Sequence, residues 1–321
     1  MAVASIYLIG VLLSIGSGIL NFYGNLIQKK VVNDVPPENR DEKFFRTIVK
    51  RPLWIWGLLC QLAFGSILFL FAVNFIGPTL PPGLMATGMI VLAIGSVRLL
   101  KESLHKVEIA GIIIMVVAIL LLGLSDLEIS SDVVSQELLD TNFIIRTVVF
   151  TAILLGLIIF CMLAQKRATR AKGIFLTIAS GTYFGLSNFW TSPLTVTIDI
   201  LVGVNFSWGK LIIFVVACCF LVLSNIFGTA TLQMAYKYGN ASLLVPIQQI
   251  PTQIAPIFYY FSVFLLWPPN PLMSIPLLFV GIGLILVSTF MLASRQVALD
   301  EIGKKEEEAF KAKVAGQERE V

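Results

Sequence analysis

The chain gathers its most reactive-looking side chains in one short run, VPIQQIPTQIAP at 245–256, where Pro246, Pro251 and Pro256 alternate with Gln248, Gln249 and Gln253. Each proline lacks an N–H and leaves a carbonyl one turn earlier without its helical donor. The glutamine oxygens and these freed carbonyls together suit contact with a hydrated cation, or hydrogen bonds to a small organic solute. The same residues also fit a structural role, with glutamines bonding across helices and prolines kinking one of them. Asn25 and Asn188 form a second set, again either pathway-lining residues or interhelical partners. A third group, Glu102, His105 and Glu108 beside Lys101 and Lys106, reads as a solvated charged turn, with Glu102 also placed to act as an inner gate. His105 is the sole histidine and has no convergent second ligand in the sequence, so no metal ligands are assigned. Cys60, Cys161, Cys218 and Cys219 show no paired ligand spacing and read as small apolar side chains. The sequence carries no Gly-rich phosphate loop and no nucleophile with a plausible base, so neither an enzyme nor a cofactor is expected.

The elements that must position these residues are apolar. Of 321 residues 57% are hydrophobic and 13% charged, with a mean hydropathy of +0.89, where a soluble domain carries about a quarter charged residues. Apolar runs of about 20 residues match the ~30 Å hydrocarbon core of a bilayer. Set against the charge clusters, they predict nine spans at 3–28, 53–76, 80–100, 107–125, 143–165, 174–197, 210–236, 241–266 and 274–294, an all-α polytopic membrane protein. The first run has no preceding Lys or Arg and exceeds a signal-peptide core in length, so it is expected to stay as span 1. With the N-terminus outside, 21 of the 23 Lys and Arg fall on the cytoplasmic side, leaving only Arg146 and Lys210 outside as headgroup-snorkelling residues. This predicts an N-out, C-in protein of the cell membrane, with the lipid bilayer as its partner. The net charge of +4 lies between spans rather than on one soluble face, which argues against nucleic-acid binding. Trp54, Trp56, Trp190, Trp208 and Trp267 are expected at span edges, at headgroup level.

Ser17, Gly18 and Asn25 of span 1 recur as Ser180, Gly181 and Asn188 of span 6, an offset of 163 residues throughout. The same offset carries Ala72 onto Ala235 and span 4 onto span 9. Five spans in the first half would turn the second half over in the membrane, the inverted repeat of secondary transporters, and would set Asn25 and Asn188 facing one another on its pseudo-two-fold axis. Applied to span 5, the offset lands on EEEAFKAKVAGQEREV, which cannot cross a bilayer. The expected organisation is therefore five plus four spans: a first repeat at 1–165, a second at 166–294, and a solvated helical cytoplasmic tail at 295–321. The missing tenth helix leaves one flank open to lipid or to a second copy of the chain as a homodimer. No Asp or Glu falls in the interior of any predicted span, Glu108 and Asp199 sitting only at span edges, so no buried carboxylate proton relay is expected.

Three stretches, GNLIQKK after span 1, FIGPTLPPGLMATGMIVLAIGSVRLLKESL, and MAYKYGNASLLVPIQQIPTQIAPIF, are similar in order and character to the drug/metabolite transporter (DMT, EamA-like) superfamily. The nine-span count, the small-residue-rich span 1 closed by Lys29 and Lys30, and Glu102 followed by Leu104 resemble the NIPA-type magnesium transporters within it. The resemblance implies helices of both halves around a central pathway, with span 5 at the periphery. It also implies a small ion as cargo, Mg²⁺ or a related divalent cation by a channel-like or facilitative route. A small organic metabolite suits the neutral Gln and Asn lining equally well, and a membrane scaffold without transport is the third reading.

Overall fold

The structure is a computed structural model and describes residues 2–35, 44–76, 80–102, 104–125, 127, 129, 131–168, 171–197, 207–268 and 270–292. The tail at 295–321, together with Asp126, Glu128 and Asp199, lies outside the described residues. Within them the chain is helical, without a strand. The helices are α1 (Ala2–Asn33), α2 (Phe44–Val49), α3 (Pro52–Leu58), α4 (Gly65–Ile76), α5 (Leu80–Met85), α6 (Gly88–Leu99), α7 (Lys106–Leu124), α8 (Ser131–Glu137), α9 (Thr141–Arg167), α10 (Lys172–Thr197), α11 (Trp208–Ala235), α12 (Ala241–Ser262) and α13 (Pro271–Leu292). A π-helical segment, Leu59–Phe64, joins α3 to α4 without a break.

Six helices are long and apolar enough to cross a membrane, at Leu8–Asn33, Pro52–Ala72, Lys106–Leu124, Thr141–Arg167, Trp208–Ala235 and Pro271–Leu292. This makes the chain a membrane-embedded helical protein. The other three predicted spans are helical but differ in kind. Span 3 is broken at Ala86 and Thr87 into α5 and α6, and the 12 residues of α6 rise only about 18 Å. The remaining two, α10 and α12, are long enough but carry Ser, Thr, Asn, Gln and Pro, and residues 241–248 of α12 are buried without exception.

Lipid is as apolar as leucine, so helices in it are held by close packing and hydrogen bonds rather than by burial from water. Small residues supply the approach. A side chain on Gly18 would strike the backbone carbonyl of Met85, and one on Gly88 would strike that of Gly18. The same relation recurs 163 residues on, where a side chain on Gly181 would strike the carbonyl of Gln248 and the ring of Pro251. The hydroxyl of Ser17 donates to the carbonyl of Gly65 at 2.7 Å, and at the same offset that of Ser180 donates to the carbonyl of Gly228, also at 2.7 Å. Even the helix ends correspond. Lys101 at the end of α6 and Leu265 at the end of α12 take positive φ (56° and 52°), and the following amides, Glu102 N and Leu266 N, turn back to the carbonyls of Ser96 and Tyr260 at 3.0 and 3.1 Å. That six-to-one bond with a left-handed residue is the Schellman closure of a helix.

Aromatic contacts fill the end of the bundle where α9, α10 and α12 meet: Phe150 lies 5.0 Å from Phe189, Phe189 5.3 Å from Tyr259, and Phe143 5.3 Å from Phe264, between ring centres. Two expectations for this region change. Trp54 and Trp190 are buried, Trp190 stacked on Phe220, and only Trp56, Trp208 and Trp267 stand exposed as headgroup anchors would. Arg146 turns to Glu137 at 3.3 Å and to the carbonyl of Asn142 at 3.2 Å instead of snorkelling outward, because α8 brings a carboxylate within reach.

Gly181→Val is expected to destabilise the protein by about 1–3 kcal/mol through overpacking against α12, read as a lower Tm in detergent. Gly156→Ala, where an added methyl meets nothing within 4 Å, should leave Tm unchanged or slightly raised. Equal Tm values for the two variants would contradict this packing.

Candidate functional site

The last turns of α1 place Asn25, Gln28 and Lys29 on one face, since residues three and four apart are neighbours on a helix. All three are buried, and they meet Gln61 from the π-helical segment and Gln233 and Tyr236 from the end of α11. Gln28 Nε2 donates to Gln61 Oε1 at 2.7 Å, while Gln28 Oε1 accepts from Gln233 Nε2. The Tyr236 hydroxyl donates to Asn25 Oδ1 at 3.2 Å, and Asn25 Nδ2 donates to the carbonyl of Asn21 at 3.3 Å. The chain of amides ends on Gln233 Oε1, a buried acceptor that no donor reaches among the described residues.

At one end this seam is closed by two charges. Helix α11 finishes at Ala235 in a turn that returns Lys237 N to the carbonyl of Met234 and Tyr238 N to that of Ala235, and the Lys29 ammonium donates to the carbonyls that follow, those of Tyr236 and Gly239, at 2.5 and 2.7 Å. Helix α12 begins at Ala241 with unsatisfied N–H groups, and its N-cap residue, Asn240, does not bond them with its side chain. Glu102 does so from the α6–α7 connection. Its carboxylate accepts from Ala241 N at 2.9 Å, Ser242 N at 3.3 Å and Ser242 Oγ at 2.8 Å. Each charge thus sits at the helix end of opposite partial charge, and each charged hydrogen bond contributes on the order of 1.5–3 kcal/mol.

Glu102 is therefore buried, at 8% exposure, rather than part of a solvated charged turn. Glu108 is buried as well, accepting from the backbone N–H of His105 at 2.7 Å as α7 begins, with His105 itself exposed. Asn25 and Asn188 do not face one another: Asn25 lies in the seam and Asn188 is exposed. Each lies eight residues after the equivalent Ser17 and Ser180 and so at the same helical phase, but Asn25 is covered by the Tyr236 hydroxyl. It is Ser187 that meets α11 here, accepting from Asn225 Nδ2 at 2.7 Å. On α12, Gln248 is buried and donates to Ser180 Oγ at 2.8 Å, tying α12 to α10. Gln249 and Gln253 are half-buried one turn apart, 3.5 Å between side-chain atoms, and Pro251 lies against Gly181.

Sequence reasoning passed over Gln28, Gln61, Gln233 and Tyr236, and took Lys29 as a topology signal and as one of the two lysines that close span 1. The available signal was Gln61, a lone amide inside the apolar run LLCQLAF. Among the described residues no three His, Cys, Asp or Glu side chains gather as a metal-holding group. Comparison with protein-family models, curated proteins and solved structures gives no match to this chain.

Lys29→Met and Glu102→Gln should each destabilise the protein by about 1–3 kcal/mol, as buried backbone groups lose partners. Because both hold the same turn, the double variant should lose less than the sum of the two. Unfolding of all four proteins in detergent measures this, and full additivity would mean that the two charges act independently.

Proposed function

We propose that the chain is a transporter of a small hydrated divalent cation, Mg²⁺ first, which passes by a facilitative or channel-like route along the seam between α1, α11 and α12. The observation that carries the reading is Gln233 Oε1, an acceptor oxygen buried with no donor beside the linked amides of Gln28 and Gln61. An unsatisfied buried oxygen at the membrane level of a helical bundle is costly, and a cation or its water shell supplies what it lacks. Mg²⁺ gives up water reluctantly and is commonly held through its waters, so amide oxygens suit it without a carboxylate cage.

The proposed architecture is the inverted repeat of five plus four spans, with the resemblance to the NIPA-type branch of the DMT superfamily. It is supported by the recurrence, 163 or 164 residues apart, of the Ser17 and Ser180 hydrogen bonds, the Gly18 and Gly181 approaches, and the left-handed closures at Lys101 and Leu265. In this reading the Lys/Arg-rich end faces the cytoplasm of a cell membrane. Lys29 and Glu102, gripping the α11–α12 turn, then form the inner gate, and Gln249 and Gln253 line the route beyond the seam. A second reading, a small organic solute, is favoured by one observation: Gln28 both donates and accepts, as a lining for a neutral hydrogen-bonding solute would.

Protein reconstituted in liposomes holding a magnesium-sensitive dye should pass Mg²⁺ down an imposed gradient. Gln233→Leu, which removes the orphan oxygen, should cut the initial rate at least ~10-fold while leaving the protein folded, the equivalent of about 1.4 kcal/mol in the barrier. A silent dye with correctly inserted wild-type protein would reject the divalent-cation assignment and turn the search to organic solutes by counterflow.

A further inference from the structure

On the outer surface of the bundle, a groove opens between α6 and α7. Helix α6 turns Met89, Leu92 and Ser96 inward and leaves Ile90, Ile94 and Val97 outward, while α7 leaves Ile109 and Ile113 outward. Between these exposed stripes runs a groove of about 460 Å³, whose lining is apolar except for Arg98. Its length from Ile90 to Arg98 is eight residues of helix, or about 12 Å.

The charges at the Arg98 end are unevenly matched. Glu102 is committed to the first turn of α12 and Glu108 to the backbone of His105. Arg98, Lys101 and Lys106 are exposed and have no hydrogen-bond or ion-pair partner among the described residues. An apolar furrow at hydrocarbon depth thus opens onto three unopposed cations where the helices leave the membrane. A basic pocket between membrane helices at the headgroup level is the setting that anionic phospholipids occupy, and a guanidinium matches a phosphate in planar, two-point fashion.

We propose that the α6–α7 groove is a binding site for one anionic phospholipid of the adjacent leaflet, its acyl chain along Ile90, Ile94 and Ile113 and its phosphate on Arg98. The site is independent of the transport pathway, since the groove lies on the outward side of α6 and the seam is built from α1, the π-helical segment and α11. The lipid fills the groove between α6 and α7 and sits beside the connection that carries Glu102.

Native mass spectrometry of the detergent-purified full chain, titrated with phosphatidylglycerol or with phosphatidylcholine of identical acyl chains, tests this. One phosphatidylglycerol should be retained in preference to phosphatidylcholine. Arg98→Gln should weaken it by about fivefold, the effect of one basic residue at a membrane surface. Ile94→Trp, which fills the groove while keeping the cations, should weaken it as well. Lys166→Gln, a cation at the same end of the bundle on α9, should leave it unchanged. Equal retention of the two lipids, unaltered retention in Arg98→Gln and Ile94→Trp, or an equal loss in Lys166→Gln would overturn the proposal, the last by showing diffuse attraction to surface charge.

Discussion

A helix that stops inside a membrane protein leaves carbonyls at one end and N–H groups at the other that neither lipid nor a continuing turn can satisfy. The short connection between α11 and α12 presents carbonyls at Tyr236 and Gly239 and N–H groups at Ala241 and Ser242. Lys29 resolves the first and Glu102 the second, from parts of the chain that are remote in sequence. The seam of amides exists because these two charges draw α1 and the end of α6 against that connection. Without them Gln28, Gln61 and Gln233 would have no common interior to share.

Around this point the bundle is assembled by backbone approach rather than by bulk. Gly18, Gly88 and Gly181 let neighbouring main chains close to distances at which any side chain would collide. Serine hydroxyls then bond across the neighbouring crossings, α1 to α4 and α10 to α11. Such contacts suit lipid, where van der Waals fit and hydrogen bonding must replace the hydrophobic effect. Their repetition at a constant interval gives the two parts of the chain one internal geometry from different side chains. The π-helical segment departs from that pattern, and it is there that Gln61 is turned inward while Leu59 and Leu62 remain outward. An extra residue per turn is a common device at functional positions of helices.

The sequence reading located the helices to within a few residues, because apolar length and flanking charge are direct consequences of the bilayer. It was least accurate where tertiary contact decides. The Ala86–Thr87 break in span 3 follows from pressing Met85 onto Gly18, which no hydropathy window registers. Glu102 read as solvated because it sits among lysines in a connection, yet its carboxylate is claimed by a helix start almost half the chain away. Asn188 was paired with Asn25 by numerical offset, yet it is exposed, and the contact to α11 is made by Ser187. Gln248 was weighed between a pathway role and an interhelical bond, and its bond to Ser180 is of the interhelical kind. Gln28 and Gln233 escaped notice because each lies near a helix end, where an amide attracts no suspicion.

The separations in sequence across the seam are 139 residues from Glu102 to Ala241 and 207 from Lys29 to Tyr236. Contacts so distant along the chain form last, after the entropy of closing the intervening loop has been overcome. During synthesis Lys29 and Glu102 therefore emerge long before the groups that neutralise them. Until α11 and α12 arrive, both must remain at the membrane surface in contact with water. The seam is thus a record of completion: a nascent or truncated chain lacking α11 and α12 carries two unmatched charges on its flank, the kind of defect by which quality control distinguishes an unfinished membrane protein from a finished one.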